Sequence, residues 1–229
     1  MALAFLSKIF RLEKQAPGVQ EARKYNFMAY RVYLTRGNII TALVLAAILY
    51  LIAPYRVIHH PPGVLVKSAP LQGPLFTSGI FFNFRGYRIT PLAEYDILAR
   101  VLAWHEYKHG KGSDFSPIDL VLGWGEMSDS AVLDHLNFHL SMRYYTFISD
   151  VPIDGKKLSN QAANTHMVPQ TSKVERDLMA LREGNIVRLK GYLVRIEGSD
   201  GYTWSSSLTR DDEGEGACEL MFVQGVETL

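Results

Sequence analysis

Five consecutive residues, His105 to His109, spell the pattern H-E-x-x-H. On a helix, histidines four residues apart share one face and can bind zinc, while the intervening glutamate acts as general base on a metal-bound water. His105 and His109 are then the ligands, and Glu106 the catalytic base, of a zinc metallopeptidase. On a strand the two histidines stand roughly 13 Å apart, too far for one ion. The local structure therefore decides between a peptidase and a coincidental match.

The surrounding residues favour the coincidental match. From Ile97 to Trp104 the side chains alternate in a way that fits a strand at least as well as a helix. The long metzincin pattern would place its third ligand at Phe115, which cannot bind metal. We therefore expect a non-enzymatic protein without a cofactor, with the zinc peptidase, which would bind Zn, as the alternative.

Three other residues are candidate contacts for a ligand or partner. Trp124 stands between two glycines, where it could form either a ligand platform or a structural plug in a tight loop. Arg143 and Tyr144 combine a cation with an aromatic ring, which suits stacking on a partner or a sugar as well as a half-buried strand. A periplasmic glycan- or peptide-binding module is thus a further alternative.

The composition is that of a globular protein. Of the 229 residues, 48% are hydrophobic and 21% are charged, and the formal net charge is +1. With no strongly basic block, the chain lacks the phosphate-tracking surface of nucleic-acid binders, so we expect no nucleic-acid partner. Cys218 is the only cysteine, which excludes an internal disulfide and favours a small buried hydrophobe.

A hydrophobic segment precedes these candidate residues. From Ile39 to Pro54 the only polar side chain is that of Thr41, and with its flanks we predict one transmembrane helix, residues 38–58, in contact with membrane lipid. Residues 1–37 are predicted to be cytoplasmic, because positive residues concentrate on that side of a membrane. The seven positive residues there are Lys8, Arg11, Lys14, Arg23, Lys24, Arg31 and Arg36. The protein is thus placed in a bacterial inner membrane, with its C-terminal domain in the periplasm.

Beyond the anchor we predict an α+β soluble domain that is mainly β. Residues 64–170 form one extracytoplasmic α+β region, in which the apolar residues from Ser130 to Leu140 recur at helical spacing. Residues 171–229 form a helix followed by a small β-barrel-like module. Its first strand, Ile186 to Glu197, carries Gly191 in mid-course, which suits the sharp coiling of a small OB-like or SH3-like barrel.

Several segments resemble a group of bacterial hypothetical proteins with one N-terminal hydrophobic segment. The likeness covers about residues 64–227, and residues 105–109 are not among its motifs. The segments that carry it are LVLGWGEMSD (120–129), with the pattern GWGxMSD; RYY (143–145); ANTHMVP (163–169), with NxHxxP; GYLV (191–194); and WSSSLTRDDEGEGACE (204–219), with WxSSLxRxDxGxGACE. The resemblance implies a membrane-anchored protein and no particular reaction.

These observations together favour a non-enzymatic function. We expect a single-pass, membrane-anchored accessory or scaffold subunit of a bacterial envelope complex, with integral-membrane or envelope proteins as partners. The anchor, the globular domain and the weakness of each catalytic pattern support this hypothesis.

Overall fold

The computed structural model describes residues 36–52, 57–76, 79–210, 212, 214 and 216–229. The chain divides into two units between residues 51 and 52. Most of the predicted cytoplasmic segment, residues 1–35, lies outside the described residues, as do residues 53–56 of the predicted membrane segment.

The described part of the first unit is a helix, α1 (Arg36–Ile52). Its 17 residues are apolar around the whole circumference rather than along one stripe. Large apolar side chains are exposed along it, with Ile40 61% and Leu43 65% accessible. Among the described residues, no helix combines the length and apolar character needed to cross a bilayer.

The second unit is mainly β, as predicted, with a few short helices. Its described residues form the strands β1 (Leu71–Gly73), β2 (Phe82–Phe84), β3 (Tyr87–Glu106), β4 (Ile118–Gly123), β5 (Leu136–Ser141), β6 (Tyr144–Ser149), β7 (Ala162–Pro169), β8 (Ile186–Glu197), β9 (Thr203–Ser205) and β10 (Glu219–Thr228). The helices are a 3-10 turn (Gly125–Ser128), α2 (Ser130–Leu133), α3 (Gly155–Ser159) and α4 (Ser172–Ala180). The strand predicted at residues 186–197 has these bounds in the structure.

Five strands close into a ring of hydrogen-bonded pairings in the order β3, β4, β7, β10 and β8, with β8 pairing again with β3. All neighbours are antiparallel except β7 and β10, which are parallel. The 20-residue strand β3 pairs with β8 over residues 88–100 and with β4 over residues 100–106, and its register shifts between Pro91 and Ala93 and between Val101 and Ala103. Such bulges bend a strand and increase its twist.

The mainly β character of the domain is confirmed, but the finer prediction of a small OB-like or SH3-like barrel formed by residues 171–229 is not shown by the structure. The ring is not a true barrel, and only β8 and β10 of its five strands come from residues 171–229. Those two strands hydrogen-bond to β3 and β7, which come from the preceding region. Local periodicity identifies a strand but does not specify its neighbours. The sequence therefore did not predict that β8 and β10 pair with strands that precede residue 170.

The main hydrophobic cluster takes side chains from every strand of the ring and therefore fills its interior. It includes Ile97 of β3, Leu120 of β4, Met167 of β7, Leu189 of β8 and Met221 of β10. Helix α4 begins at the N-cap Thr171, whose side chain accepts a hydrogen bond from the backbone of Val174. Val174 and Leu178 of α4 join the same cluster.

The hairpin of β5 and β6 is a separate two-stranded sheet that packs on the outside of the ring. Its inward side chains, among them Leu136 and Phe147, meet Val121 of β4 and Leu102 of β3. The helix predicted from Ser130 to Leu140 is therefore wrong beyond α2, because the same apolar residues also fit a short helix followed by a strand.

Candidate binding site at the β5–β6 hairpin

The residues of the H-E-x-x-H pattern do not form a helix. His105 and Glu106 end β3, where they pair with Asp119 and Ile118 of β4, and residues 107–109 follow in a loop. The zinc interpretation required one helical face for both histidines, and this local structure does not provide it. No group of three or more His, Cys, Asp or Glu side chains within the described ranges is arranged to hold a metal ion.

The hairpin turn instead brings the polar residues of this region together. Two residues, Met142 with φ of 49° and Arg143 with φ of 71°, connect β5 to β6. Positive φ at both central positions is the type I′ geometry, which matches the twist of the flanking strands but strains residues that have a Cβ atom. A turn with this geometry usually contains Asn-Gly, so the Met-Arg sequence needs support from elsewhere.

Arg143 supplies that support because its backbone N–H and its guanidinium form hydrogen bonds to β4 and to the segment that precedes it. Its backbone N–H donates to the hydroxyl of Tyr107 at 3.0 Å. The guanidinium donates to Asp119 Oδ1 at 2.8 Å and to the carbonyl oxygen of Ser116 at 2.9 Å. It also lies over the ring of Tyr107, 4.0 Å from the centroid, and 5.4 Å from that of Trp204. Arg143 is thus an internal anchor, and its cation stacks on the protein's own aromatic rings.

Asp119 is the acceptor at the centre of this arrangement and is fully buried. His166 of β7 is its register partner on the neighbouring strand, with Nδ1 2.8 Å from Asp119 Oδ1. The approach is at ion-pair distance, yet Nδ1 is not aligned for a hydrogen bond. The imidazole packs on Trp204, with ring centroids 4.6 Å apart. We regard Arg143 as the principal partner of Asp119, because its hydrogen bond is well formed.

Asn164 links this arrangement to Cys218. Its Nδ2 donates to the carbonyl oxygen of Arg143 at 2.7 Å and lies 3.4 Å from Cys218 Sγ. The carbonyl can only accept, so this contact also fixes which end of the amide is nitrogen. Burial raises the pKa of the Cys218 thiol to about 11. The thiol is therefore protonated at neutral pH and is a poor nucleophile.

A groove of about 570 Å³ lies between β6 and the starts of β7 and β10. Four consecutive residues of β6, from Tyr144 to Phe147, line one side. Successive side chains of a strand point to opposite faces. A groove that is lined by four consecutive residues therefore follows the edge of the strand. The opposite wall comes from residues 162–164 and from Thr209, Arg210, Asp212, Gly214, Ala217, Cys218 and Glu219.

The charged side chains that line this groove are Arg210, Asp212 and Glu219. Arg210 is held on one side of it, since its guanidinium donates to the Tyr95 hydroxyl at 3.3 Å and lies 5.3 Å from the centroid of Trp124. Asp212 is exposed and accepts from the Ser207 hydroxyl at 2.5 Å. Glu219 is only 6% exposed.

The pKa of the Glu219 carboxyl is raised in the folded protein. Burial raises its pKa to about 7, while Arg210 opposes the shift and Asp212 adds to it. Tyr145 lines the same groove, and burial together with the nearby Glu219 raises its pKa to about 12. The groove therefore gains negative charge as the pH rises through about 7 and Glu219 ionises.

The structure separates the three predicted contact residues. Trp124 is 4% exposed and packs inside the ring, so it acts as a plug and not as an exposed platform. Arg143 faces inwards, whereas Tyr144 is 48% exposed on the outer face of the hairpin. The sequence did not indicate Asp119. Asn164, His166, Cys218 and Glu219 lie within the segments that carry the family resemblance.

Comparisons with protein-family models, with curated proteins and with solved structures find no match to this chain.

Proposed function

We propose that this protein is a non-enzymatic accessory subunit, anchored in the bacterial inner membrane by residues 38–58, whose periplasmic domain docks onto a larger envelope complex. The β5–β6 hairpin is the observation that carries the proposal. It exposes apolar side chains on its outer face and turn, with Met142 81% and Ile148 73% accessible, and Tyr144 lies on the same face. Thr146 lies between Tyr144 and Ile148 on this face, and large exposed apolar side chains grouped on one side of a hairpin are what an interaction site would bury.

The way in which the hairpin is held supports docking. A two-residue turn with positive φ at both positions is stabilised by a buried ion pair between Arg143 and Asp119. The inward side chains of both strands pack on the ring. A surface that is already ordered loses less conformational entropy on association, so this hairpin is suited to present a fixed contact area.

The chemistry of the buried polar residues supports a non-enzymatic role. Asp119 and His166 are 0% and 2% exposed, and the Arg143 guanidinium occupies the carboxylate. Cys218 is held as a thiol by its raised pKa. Catalytic acids, bases and nucleophiles must reach a substrate atom, whereas these groups are used to hold the hairpin.

The proposed anchor is supported by α1 and by the charge distribution in the sequence. The helix is about 25 Å long at 1.5 Å per residue, and the large apolar side chains described between Ile39 and Ile48 are exposed. Seven positive residues precede Gly37, as the positive-inside bias requires for a cytoplasmic N-terminus.

The test is purification of the full-length protein from membranes of its native host. We expect it to resist carbonate extraction and to co-purify with a stoichiometric envelope protein. Ile148→Asp should abolish that association. Leu71→Asp, which places the same charge on a residue 69% exposed elsewhere in the domain, should preserve it. Release of the wild type by carbonate, absence of a stoichiometric partner, or an unchanged complex with Ile148→Asp would each contradict the proposal.

A further inference from the structure

We infer that the groove beside β6 binds a basic peptide segment in an extended conformation, which adds as a third strand to the open edge of the β5–β6 sheet. This inference deepens the proposed function, because the segment belongs to the protein on which the domain docks. The outer face of the hairpin and its edge are then two parts of one interface.

The backbone of β6 has hydrogen-bonding groups available on its groove side. A two-residue turn makes Ser141 and Tyr144 a hydrogen-bonded pair, so in an antiparallel hairpin every second residue from Tyr144 bonds to β5. Tyr145 and Phe147 lie between them, and their N–H and C=O groups point away from β5. Within the described residues neither backbone makes a further hydrogen bond, and an added strand would satisfy both.

The groove follows this edge and not one of its faces. It is lined by Tyr144, Tyr145, Thr146 and Phe147 in succession. Across from them lie the first three residues of β7 and the residues leading into β10. An extended segment placed there has the β6 edge on one side and a mixed polar and apolar wall on the other, as in strand addition to a sheet.

The exposed acid of the wall favours a basic segment. Asp212, Glu219 and Arg210 line the groove, but Glu219 is 6% exposed and its pKa is raised to about 7, so the accessible negative charge is that of Asp212. Arg210 is engaged with Tyr95 and lies over Trp124. Asp212 is the exposed acid, so a lysine or arginine of the added strand meets an accessible carboxylate, whereas an acidic strand meets a like charge.

The first measurement uses synthetic peptides and the full-length protein in lipid nanodiscs. The probe is the acetylated, amidated heptapeptide Thr-Val-Thr-Lys-Thr-Val-Thr, compared with the same peptide carrying Glu in place of Lys. We expect the lysine peptide to bind at least about fivefold more tightly. In an extended peptide, the N–H groups of alternate residues point to opposite edges. Methylation of the nitrogens that face β6 should abolish binding, while methylation of the nitrogens on the other edge should be tolerated.

The second measurement locates the peptide by hydrogen exchange of the fragment that covers residues 144–149. Bound lysine peptide should slow the exchange of two further amides, those of Tyr145 and Phe147. Asp212→Asn should reduce the preference for lysine over glutamate. Asp177→Asn removes the same charge on α4, where it pairs with Lys173, and should leave the preference unchanged.

The outcomes separate this inference from the proposed function. Absence of peptide binding, binding without protection of residues 144–149, or equal binding of the lysine and glutamate peptides would overturn the inference. Self-association of the protein through β6, with protection that rises with protein concentration and no effect of peptide, would identify a second copy as the occupant and also overturn it. If any of these results accompanied an envelope partner that Ile148→Asp still releases, the proposed function would stand without the basic strand.

Discussion

Arg143 combines two roles at the residue scale, as the central residue of a strained turn and as the partner of a buried carboxylate. The sequence suggested a cation for an external partner, because arginine beside tyrosines is also the composition of a stacking site. In the structure its side chain is 17% exposed, and that of Asp119 is fully buried. A buried charge that loses its partner destabilises the folded state, so the role of Arg143 can be tested by measuring the free energy of unfolding.

We predict that Arg143→Ala lowers the free energy of unfolding by about 3–5 kcal/mol, because the buried Asp119 carboxylate loses its only well-formed side-chain hydrogen bond within the described residues and keeps only the misaligned His166. Urea denaturation of the full-length protein measures the loss. Arg195→Ala breaks a pair whose side chains are 48% and 39% exposed and should cost less than about 1 kcal/mol. Adding Asp119→Asn to Arg143→Ala should recover stability, and a further loss of the same size in the double variant would show that the pair is not coupled.

Glu219 predicts a pH dependence of stability. Its pKa rises from 4.5 to about 7 on folding, so the folded state favours the protonated acid. That stabilising contribution is complete below pH 4.5 and is lost as the pH rises through about 7. The groups that face it are Tyr95, Tyr145 and Cys218, whose pKa values are all raised, and Arg210 and Asp212.

Glu219→Gln should remove this contribution, because glutamine does not ionise. The free energy of unfolding of the variant, relative to wild type, should increase by roughly 3 kcal/mol between pH 4.5 and pH 8. Denaturation of both proteins across that range provides the measurement. Subtracting the free energy of unfolding of the wild type from that of the variant removes the contribution of the other titrating groups, which both proteins share. A constant difference across the range would show that the Glu219 pKa is not shifted on folding.

At the element scale, the hairpin shows how tertiary contacts can stabilise an unfavourable local sequence. The outward residues of β6 are exposed and the inward ones half-buried, with the period of two that a strand requires. The turn carries no Asn or Gly, so the sequence lacked the short-range hairpin signal. Four apolar residues between Ser130 and Leu140 also matched helical spacing. The alternative of α2 followed by β5 is stabilised by packing on Val121 and Leu102.

Met142 offers a direct test of the strain in this turn. It has φ of 49° and is 81% exposed, so a substitution changes the backbone preference and removes little packing. Met142→Asn should raise the free energy of unfolding by roughly 0.5–1 kcal/mol, because asparagine tolerates the left-handed region. Met142→Ala keeps the Cβ atom and should bring no comparable gain. Equal effects of the two substitutions in thermal denaturation would contradict the assignment of strain.

At the scale of the whole molecule, closure of the ring determines which residues can meet. Strand β8 pairs with β3 along one edge and with β10 along the other. Gly191 lies opposite both Tyr95 and Val223 in these pairings. The sequence identified this glycine as a point of sharp coiling, and the structure adds the contact that requires it: a Cβ atom there would lie 2.0 Å from the carbonyl oxygen of Phe222.

Gly191→Ala should therefore destabilise the whole domain by about 2 kcal/mol, the cost typical of forcing an extra methyl group into a packed interior. Gly225→Ala is the matched control in β10, since a Cβ atom there meets nothing within 4 Å. Chemical denaturation of the two variants gives the comparison. A loss for Gly225→Ala as large as that for Gly191→Ala would show that the close approach at Phe222 is relieved at little cost.

The sequence by itself determined the mainly β character of the domain, the bounds of the strand Ile186–Glu197 and the helix that begins near Lys173. These features depend on hydrophobic periodicity and on turn residues, and both signals lie in residues that are close together in the sequence. Tertiary structure alone decided the ring, the inward direction of Arg143 and the groove beside β6. They depend on pairings between distant segments, such as Asp119 with His166 and Glu219 with Thr165, and no local pattern specifies which strands become neighbours.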